Sequence, residues 1–367
     1  LATKTIAVVI GFTVILSGLV AVKLGTTSDF TVHDRIAIEG LGPWSQGQFD
    51  NIDFDTEREA VVVSSGAKGT YISRPFKTQF PFNEVVITWN CERAGGGYLT
   101  ASVRASQDGE VWTGWYEIAS WPGGRPDREV GLKRDKSGYI NEDYLVLRQK
   151  QNHVQFRFDL ESSPPGSLHL ESAYLVYTDT QADYFAFRKY APPEKPELPD
   201  ISLEVPYFSQ QKLPEGVSWR ACSPTSLSMV LNYHGVKVPP LEVAEKCYDD
   251  HNDIYGNWPY NIAAAREYGF SAWADRHTSF GEIAEEIERG FPVVLSIAFG
   301  EGELGGSSVK ETEGHLIVVR GFTPEENVIC NDPAFHNHSD GVIVYDREEL
   351  KRAWTGHHGV AYHLRPR

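Results

Sequence analysis

A proline- and charge-rich stretch, DYFAFRKYAPPEKPELPD over residues 183–200, divides the chain into two halves of different character. Pro192, Pro193, Pro196 and Pro199 remove backbone donors and fix φ, so neither a helix nor an inner strand can run through it. A stiff, extended linker is expected. Before it, strand signals recur and no long helical pattern intervenes. After it, helical patterns come first and apolar strands follow. With 367 residues, each half has enough chain for its own core.

Residues 30–182 read as an all-β sandwich. Tyr71–Phe76, Glu84–Trp89, Tyr98–Ala105, Trp115–Ile118, Tyr144–Leu147, His153–Leu160 and Leu168–Tyr177 are short, β-branched and aromatic. Turn signals separate them, among them Gly95-Gly96-Gly97, Asp108-Gly109 and Pro164-Pro165-Gly166. Trp112, Trp115, Tyr116 and Trp121 could form a stacking surface for sugar rings or fill the core. Residues 106–115, SQDGEVWTGW, resemble a hairpin of jelly-roll carbohydrate-binding modules. On that resemblance, a cell-wall polysaccharide is the expected partner of this half.

Residues 5–22, within an amino-terminal segment 1–25, are uncharged and strongly apolar between Lys4 and Lys23. That length suits a membrane anchor or a signal-peptide core. An extracellular or cell-surface location, secreted or tethered to the membrane through 5–22, is expected. The formal net charge of −16 argues against nucleic acid as a partner. Cys91, Cys222, Cys247 and Cys330 make no disulfide framework for a chain this long, and buried free thiols are expected. No Cys or His spacing matches a usual metal-ligand set, including that of His336, His338, His357 and His358. No metal and no cofactor is assigned.

In residues 201–367, the stretch Ala221-Cys222-Ser223-Pro224-Thr225-Ser226 places a cysteine at the mouth of a helix that Gly235 stops. Unpaired N–H groups and the helix dipole favour a thiolate there. Further helices are expected at Leu241–Cys247 and Tyr260–Tyr268, and a capping box opens one at Ser279-Phe280-Gly281-Glu282. Strands follow at Pro292–Phe299, His315–Phe322, Asn327–Cys330, Val342–Tyr345 and Gly359–Leu364, which makes an α+β domain. His315 opens one strand and Asp332 ends the next. A short turn between them brings an imidazole beside a carboxylate, as a base and its orienter require.

The motifs Val205-Pro206-Tyr207-Phe208-Ser209-Gln210, Cys222-Ser223-Pro224-Thr225-Ser226, Gly256-Asn257-Trp258-Pro259, Gly314-His315-Leu316 and Asn331-Asp332-Pro333, in this order, resemble the papain-like cysteine peptidases related to the bacteriocin-processing, double-glycine leader peptidases. The resemblance covers 201–367 and implies a thiol hydrolase acting on a peptide or protein. In it Cys222 is the nucleophile, His315 the base, Asp332 the orienter and Gln210 an oxyanion donor. Gln211 competes for that last role, and the preceding PYFS favours Gln210. Asn257 and Trp258 are expected along the substrate cleft, and Glu301–Glu313 as a mobile lid. Ser223 stands where the family has glycine. Two other readings stay open: acyl or peptidyl transfer on the same fold, and a cell-surface binding protein that does not use the catalytic set.

Overall fold

The computed structural model describes residues 30–124, 129–192 and 197–367. The apolar segment 5–22 lies outside them. Among the described residues no helix is long and apolar enough to cross a membrane.

The first half is β-rich: eleven strands join in one hydrogen-bonded network. Two strands of 19 residues, Phe76–Ala94 and Tyr144–Ser162, organise it. Each absorbs what sequence reading splits into shorter pieces, because polar residues such as Gln149, Lys150 and Gln151 interrupt the apolar pattern without ending the ladder. Tyr144–Ser162 pairs with Phe76–Ala94 over its first part and with Gly97–Ser106 and Lys68–Ile72 over its second. Val32–Glu39, whose apolar residues Val32, Ile36, Ala37 and Ile38 are mixed with charged ones, lies along Ser167–Asp179.

The proposed sugar-stacking surface is not one surface. Tyr116 and Trp121 are fully buried, and Trp121 packs edge-on against Tyr260 of the second half. Trp112 and Trp115 are half-buried, and the Arg104 guanidinium lies over both rings. The linker also departs from a plain extended chain. Asp183 accepts from Ala186 N and caps a helix over Tyr184–Tyr190, so the proline effect begins only after it.

The second half carries a seven-stranded antiparallel sheet in the order Phe270–Arg276, Val360–Pro366, Val293–Phe299, Thr312–Phe322, Val328–Asn331, Val342–Tyr345, with Ile201–Ser202 added beside Thr312–Phe322. The edge strand Phe270–Arg276 was hidden in the sequence by its two alanines, although its burial alternates strictly. The helices Cys222–Tyr233, Pro240–Cys247 and Trp258–Glu267 pack together on this sheet.

The halves share one apolar core rather than hanging from a linker. The contact is built around the edge strand Phe270–Arg276, which faces Phe76–Ala94. Asn90 Nδ2 donates to Ala272 O and Asn90 Oδ1 accepts from Ala272 N, both at 2.9 Å, while Thr88 Oγ1 accepts from Ala274 N. One side-chain amide thus replaces the backbone of a missing neighbour strand, satisfying groups that would otherwise be buried without partners. Arg276 reaches back to Glu84 at 2.6 Å, and Arg266 is held by Glu171.

Candidate active site around Cys222

The helix Cys222–Tyr233 is buried on every side through Asn232. Its polar residues therefore need internal partners, and Ser223, Ser226, Ser228 and Asn232 find them, while the Thr225 hydroxyl is buried without one among the described residues. Ser226 Oγ donates to Leu316 O at 2.9 Å, Ser228 Oγ to Val238 O at 2.8 Å, and Asn232 Nδ2 to Ser228 O and Val238 O. The first of these bonds ties the helix to the strand that carries His315. At the far end Gly235, at φ +92°, closes the helix: Gly235 N donates to Asn232 O and Val236 N to Leu231 O.

Cys222 is the first helical residue, so Pro224 falls third rather than first. The proline is still harmless, because the early N–H groups have no intrahelical acceptor; the first such bond is Thr225 N to Ala221 O. Ser223 needs no glycine. It is not among the residues of positive φ, and its hydroxyl lies 3.1 Å from that of Tyr362.

His315 lies in the strand Thr312–Phe322, paired with Ile297, and the strand begins three residues before the expected start. Asp332 follows the strand Val328–Asn331, whose Asn331 pairs with Val318. The topology brings the two together: His315 Nε2 donates to Asp332 Oδ1 at 2.8 Å. That orientation leaves Nδ1 for Cys222, whose thiol lies against the imidazole. Asp332 is completely buried and fully engaged. Oδ1 also accepts from Ala334 N at 2.9 Å, and Oδ2 accepts from Tyr345 Oη at 2.6 Å.

Burial works against a thiolate at Cys222. The hydrogen bond and charge of His315, with the backbone N–H groups of Leu316 and Ser223, outweigh it and hold the thiol below its ordinary value. Burial likewise opposes charge on His315, but Asp332 and the thiolate raise it well above an ordinary imidazole. The other thiols go the opposite way. Burial pushes Cys91 up to about 12 and raises Cys247 and Cys330 as well. All four cysteines are buried and free.

Gln210 is buried, caught in a short turn that Ser209 caps, while Gln211 is half-buried. Gln210 N donates to Pro333 O at 2.9 Å, next to Asp332, and Gln210 Nε2 donates to Ser218 O at 2.8 Å. An amide nitrogen has two hydrogens, so one donor remains after that bond. Beyond Ser218, Trp219 is 70% exposed.

Asn257 and Trp258 are not arranged as cleft residues. Asn257 caps the helix Trp258–Glu267: Oδ1 accepts from Tyr260 N, and Nδ2 donates to Asp249. Trp258 stacks on Tyr144 of the first half, and its backbone N–H is taken by Asp143. Both are spent on folding and domain contact. The expected lid is also pinned, because Leu304 is buried in the core and Gly305 N donates to Glu349.

Tyr345 and Tyr207 escaped sequence reasoning as parts of the site. Tyr207 Oη donates to Asp332 O and Phe335 O. The motif around Tyr207 was visible as a resemblance, but nothing in the spacing of Tyr345 pointed to Asp332.

Residues 202–362 match the family model described as Peptidase_C39 like family, and residues 37–171 match the Peptidase C39 N-terminal domain. The second half is a C39-like peptidase domain. Among solved structures, a double glycine motif protease from an AMS/PCAT transporter, in complex with its leader peptide, is 24% identical; the match covers 45% of this chain and 94% of that one at a TM-score of 0.31. A putative C39-like peptidase from Bacillus anthracis is 20% identical, covering 46% of this chain and 99% of that one at 0.35. A family 29 carbohydrate binding module from Piromyces equi is 9% identical, covering 40% and 90% at 0.19. No curated protein matches the chain. The C39 assignment rests on the two family models.

Proposed function

We propose that this chain is an exported cysteine peptidase whose C39-like domain cleaves peptide bonds through Cys222, His315 and Asp332. The observation that carries the reading is the contrast among the thiols: the only one drawn below its ordinary value lies against an imidazole that a buried carboxylate orients. The Cys222 thiolate attacks the carbonyl carbon. The oxyanion that forms is met by the Cys222 N–H, which has no intrahelical acceptor, and by the remaining amide hydrogen of Gln210. His315 then passes its proton to the leaving amine, and the carbon–nitrogen bond breaks to give a thioester. Water, deprotonated by His315, hydrolyses the thioester and restores the thiol. Asp332 keeps Nε2 protonated throughout and stabilises the imidazolium.

Trp219, exposed three residues before Cys222, is suited to hold an apolar substrate side chain. The first half is a partner of this domain in packing. Export follows from the apolar run 5–22.

The test is digestion of a peptide library by the full chain and by Cys222→Ala, read by mass spectrometry. Cleavage by the parent alone supports the reading, and equal cleavage by both overturns it. Products joined to an added amine in preference to water would replace hydrolysis with transfer.

A further inference from the structure

A second cluster of chemistry-bearing side chains lies at the contact between the halves, away from Cys222. His33 comes from the strand Val32–Glu39 of the first half. His277 follows the edge strand Phe270–Arg276, and Glu282 lies in the first turn of the helix Phe280–Glu288. One nitrogen from each imidazole and one carboxylate oxygen lie within 4.8 Å of one another.

The hydrogen bonding here is incomplete in a telling way. His277 Nδ1 faces Glu282 Oε2 at 3.0 Å, and neither atom, nor His33 Nδ1, has any other partner although all three are buried. A proton shared between His277 and Glu282 satisfies one pair but leaves His33 Nδ1 alone. Glu282 is also missing from the place its sequence predicts. In the capping box it should bond to the backbone of Ser279, but it turns to His277, and Ser279 Oγ is left without a partner. That carboxylate faces the imidazole of His277, with that of His33 nearby, in place of a helix cap.

We propose that His33, His277 and Glu282 bind one divalent zinc-like cation that clips the two halves together. Two imidazoles and a carboxylate suit Zn²⁺ over the hard cations Mg²⁺ and Ca²⁺. Bond lengths of about 2.0–2.2 Å in a tetrahedral site put ligand atoms about 3.3–3.6 Å apart. The His277–Glu282 pair, at 3.0 Å, has only to open slightly, and the His33 nitrogen, no more than 4.8 Å from either, has to approach, a movement within side-chain reach. The surrounding residues complete the arrangement. His277 Nε2 lies 2.9 Å from His363 Nε2, so an ion on Nδ1 fixes the His277 proton on Nε2, donating to His363. His363 Nδ1 then points its own proton toward Glu286, at 4.0 Å. The half-buried Asp275, two residues before His277, is paired with Arg35 of the first half.

The test uses the full chain carrying Cys222→Ala, so that the reactive thiol is not a ligand, after removal of metal by a chelator. Calorimetric titration with Zn²⁺ should find one ion per chain. At a free Zn²⁺ concentration a hundred times Kd, the folded state should be favoured about 100-fold, read as a rise in Tm. Mg²⁺ should do neither. His33→Ala and Glu282→Gln should each weaken binding by about 100-fold or more, and His363→Ala by about 10-fold. Co²⁺ bound to the parent should show the visible bands of a tetrahedral nitrogen–oxygen site without thiolate charge transfer, a readout that survives if a variant fails to fold. Zn²⁺ affinity unchanged in both ligand variants, thiolate bands with Co²⁺, or no binding by the parent overturns the proposal.

Discussion

His315 and Asp332 meet at 2.8 Å, 17 residues apart in the chain, because the strands Thr312–Phe322 and Val328–Asn331 pair antiparallel with Val318 opposite Asn331. The carboxylate is held by Ala334 N and Tyr345 as well, so its position is determined before any substrate arrives. That rigidity makes the neighbouring thiol testable in several independent ways.

Iodoacetamide at neutral pH should alkylate Cys222 alone in the folded protein. Cys91, Cys247 and Cys330 are buried with raised pKa values, and the thiolate is the reacting form. Peptide mapping after labelling checks this. Cys222→Ala should lose all labelling, and kcat on any peptide substrate should fall by on the order of 10⁶.

Tyr345→Phe should leave the fold in place and remove one hydrogen bond from the Asp332 carboxylate. A bond to a charged group contributes about 1.5–3 kcal/mol, which sets an upper range of roughly 10–100-fold in kcat. Tyr345 acts through Asp332, so the informative readout is the pH profile of Cys222 alkylation, whose rising limb should move to higher pH. An unmoved profile would make Tyr345 a packing residue only.

Gln210→Ala should lower kcat by about 10²–10³ with little change in alkylation rate, because the amide serves the oxyanion and not the thiolate. Trp219→Ala should instead raise KM with kcat retained. Steady-state kinetics separate the two.

Hydrolysis should be bell-shaped in pH. Below the Cys222 pKa, which is lowered from its ordinary value, the thiol is neutral and inert, so the rate rises as pH rises through it. The rate falls again as pH rises through the raised pKa of His315, when no proton remains for the leaving amine.

Acid should loosen the contact between the halves. Burial opposes charge on Glu84, but Arg276 and His358 bring it down to about 2 from an ordinary 4.5. A depressed carboxyl contributes stability above its unfolded pKa that is lost as pH falls toward the folded one, here between about 4.5 and 2. Glu84→Gln should flatten the dependence of Tm on pH across that window.

The side chains proposed here as nucleophile, base and orienter could be picked out of the sequence, because each sits in a local motif that survives without a structure. Cys222 before Pro224 and His315 after Gly314 carry their signal within a few residues. What supports them does not. Tyr345 meets Asp332 only through strand pairing, and the capping box at Ser279 does not form because Glu282 turns to His277, a partner the local pattern does not announce. Asn257 and Trp258 were placed on the cleft because they share a motif with it. Asn257 is taken up by its own helix start and by Asp249, and the partners of Trp258, Asp143 and Tyr144, lie more than a hundred residues earlier. Most of the second half could be followed from apolar runs; the alanine-diluted strand Phe270–Arg276 was lost, as were short elements such as Ile201–Ser202 and His338–Gly341.

That strand bears on how the protein could be cut. Asn90 presents its amide to Ala272 as a neighbouring polypeptide would. A fragment starting at residue 201 would therefore carry an open sheet edge, and two such fragments could zip together along it. Removing the first half would accordingly produce a self-associating peptidase rather than a smaller soluble one, and Asn90→Asp, with one donor lost, would be the mildest way to begin prising that edge open.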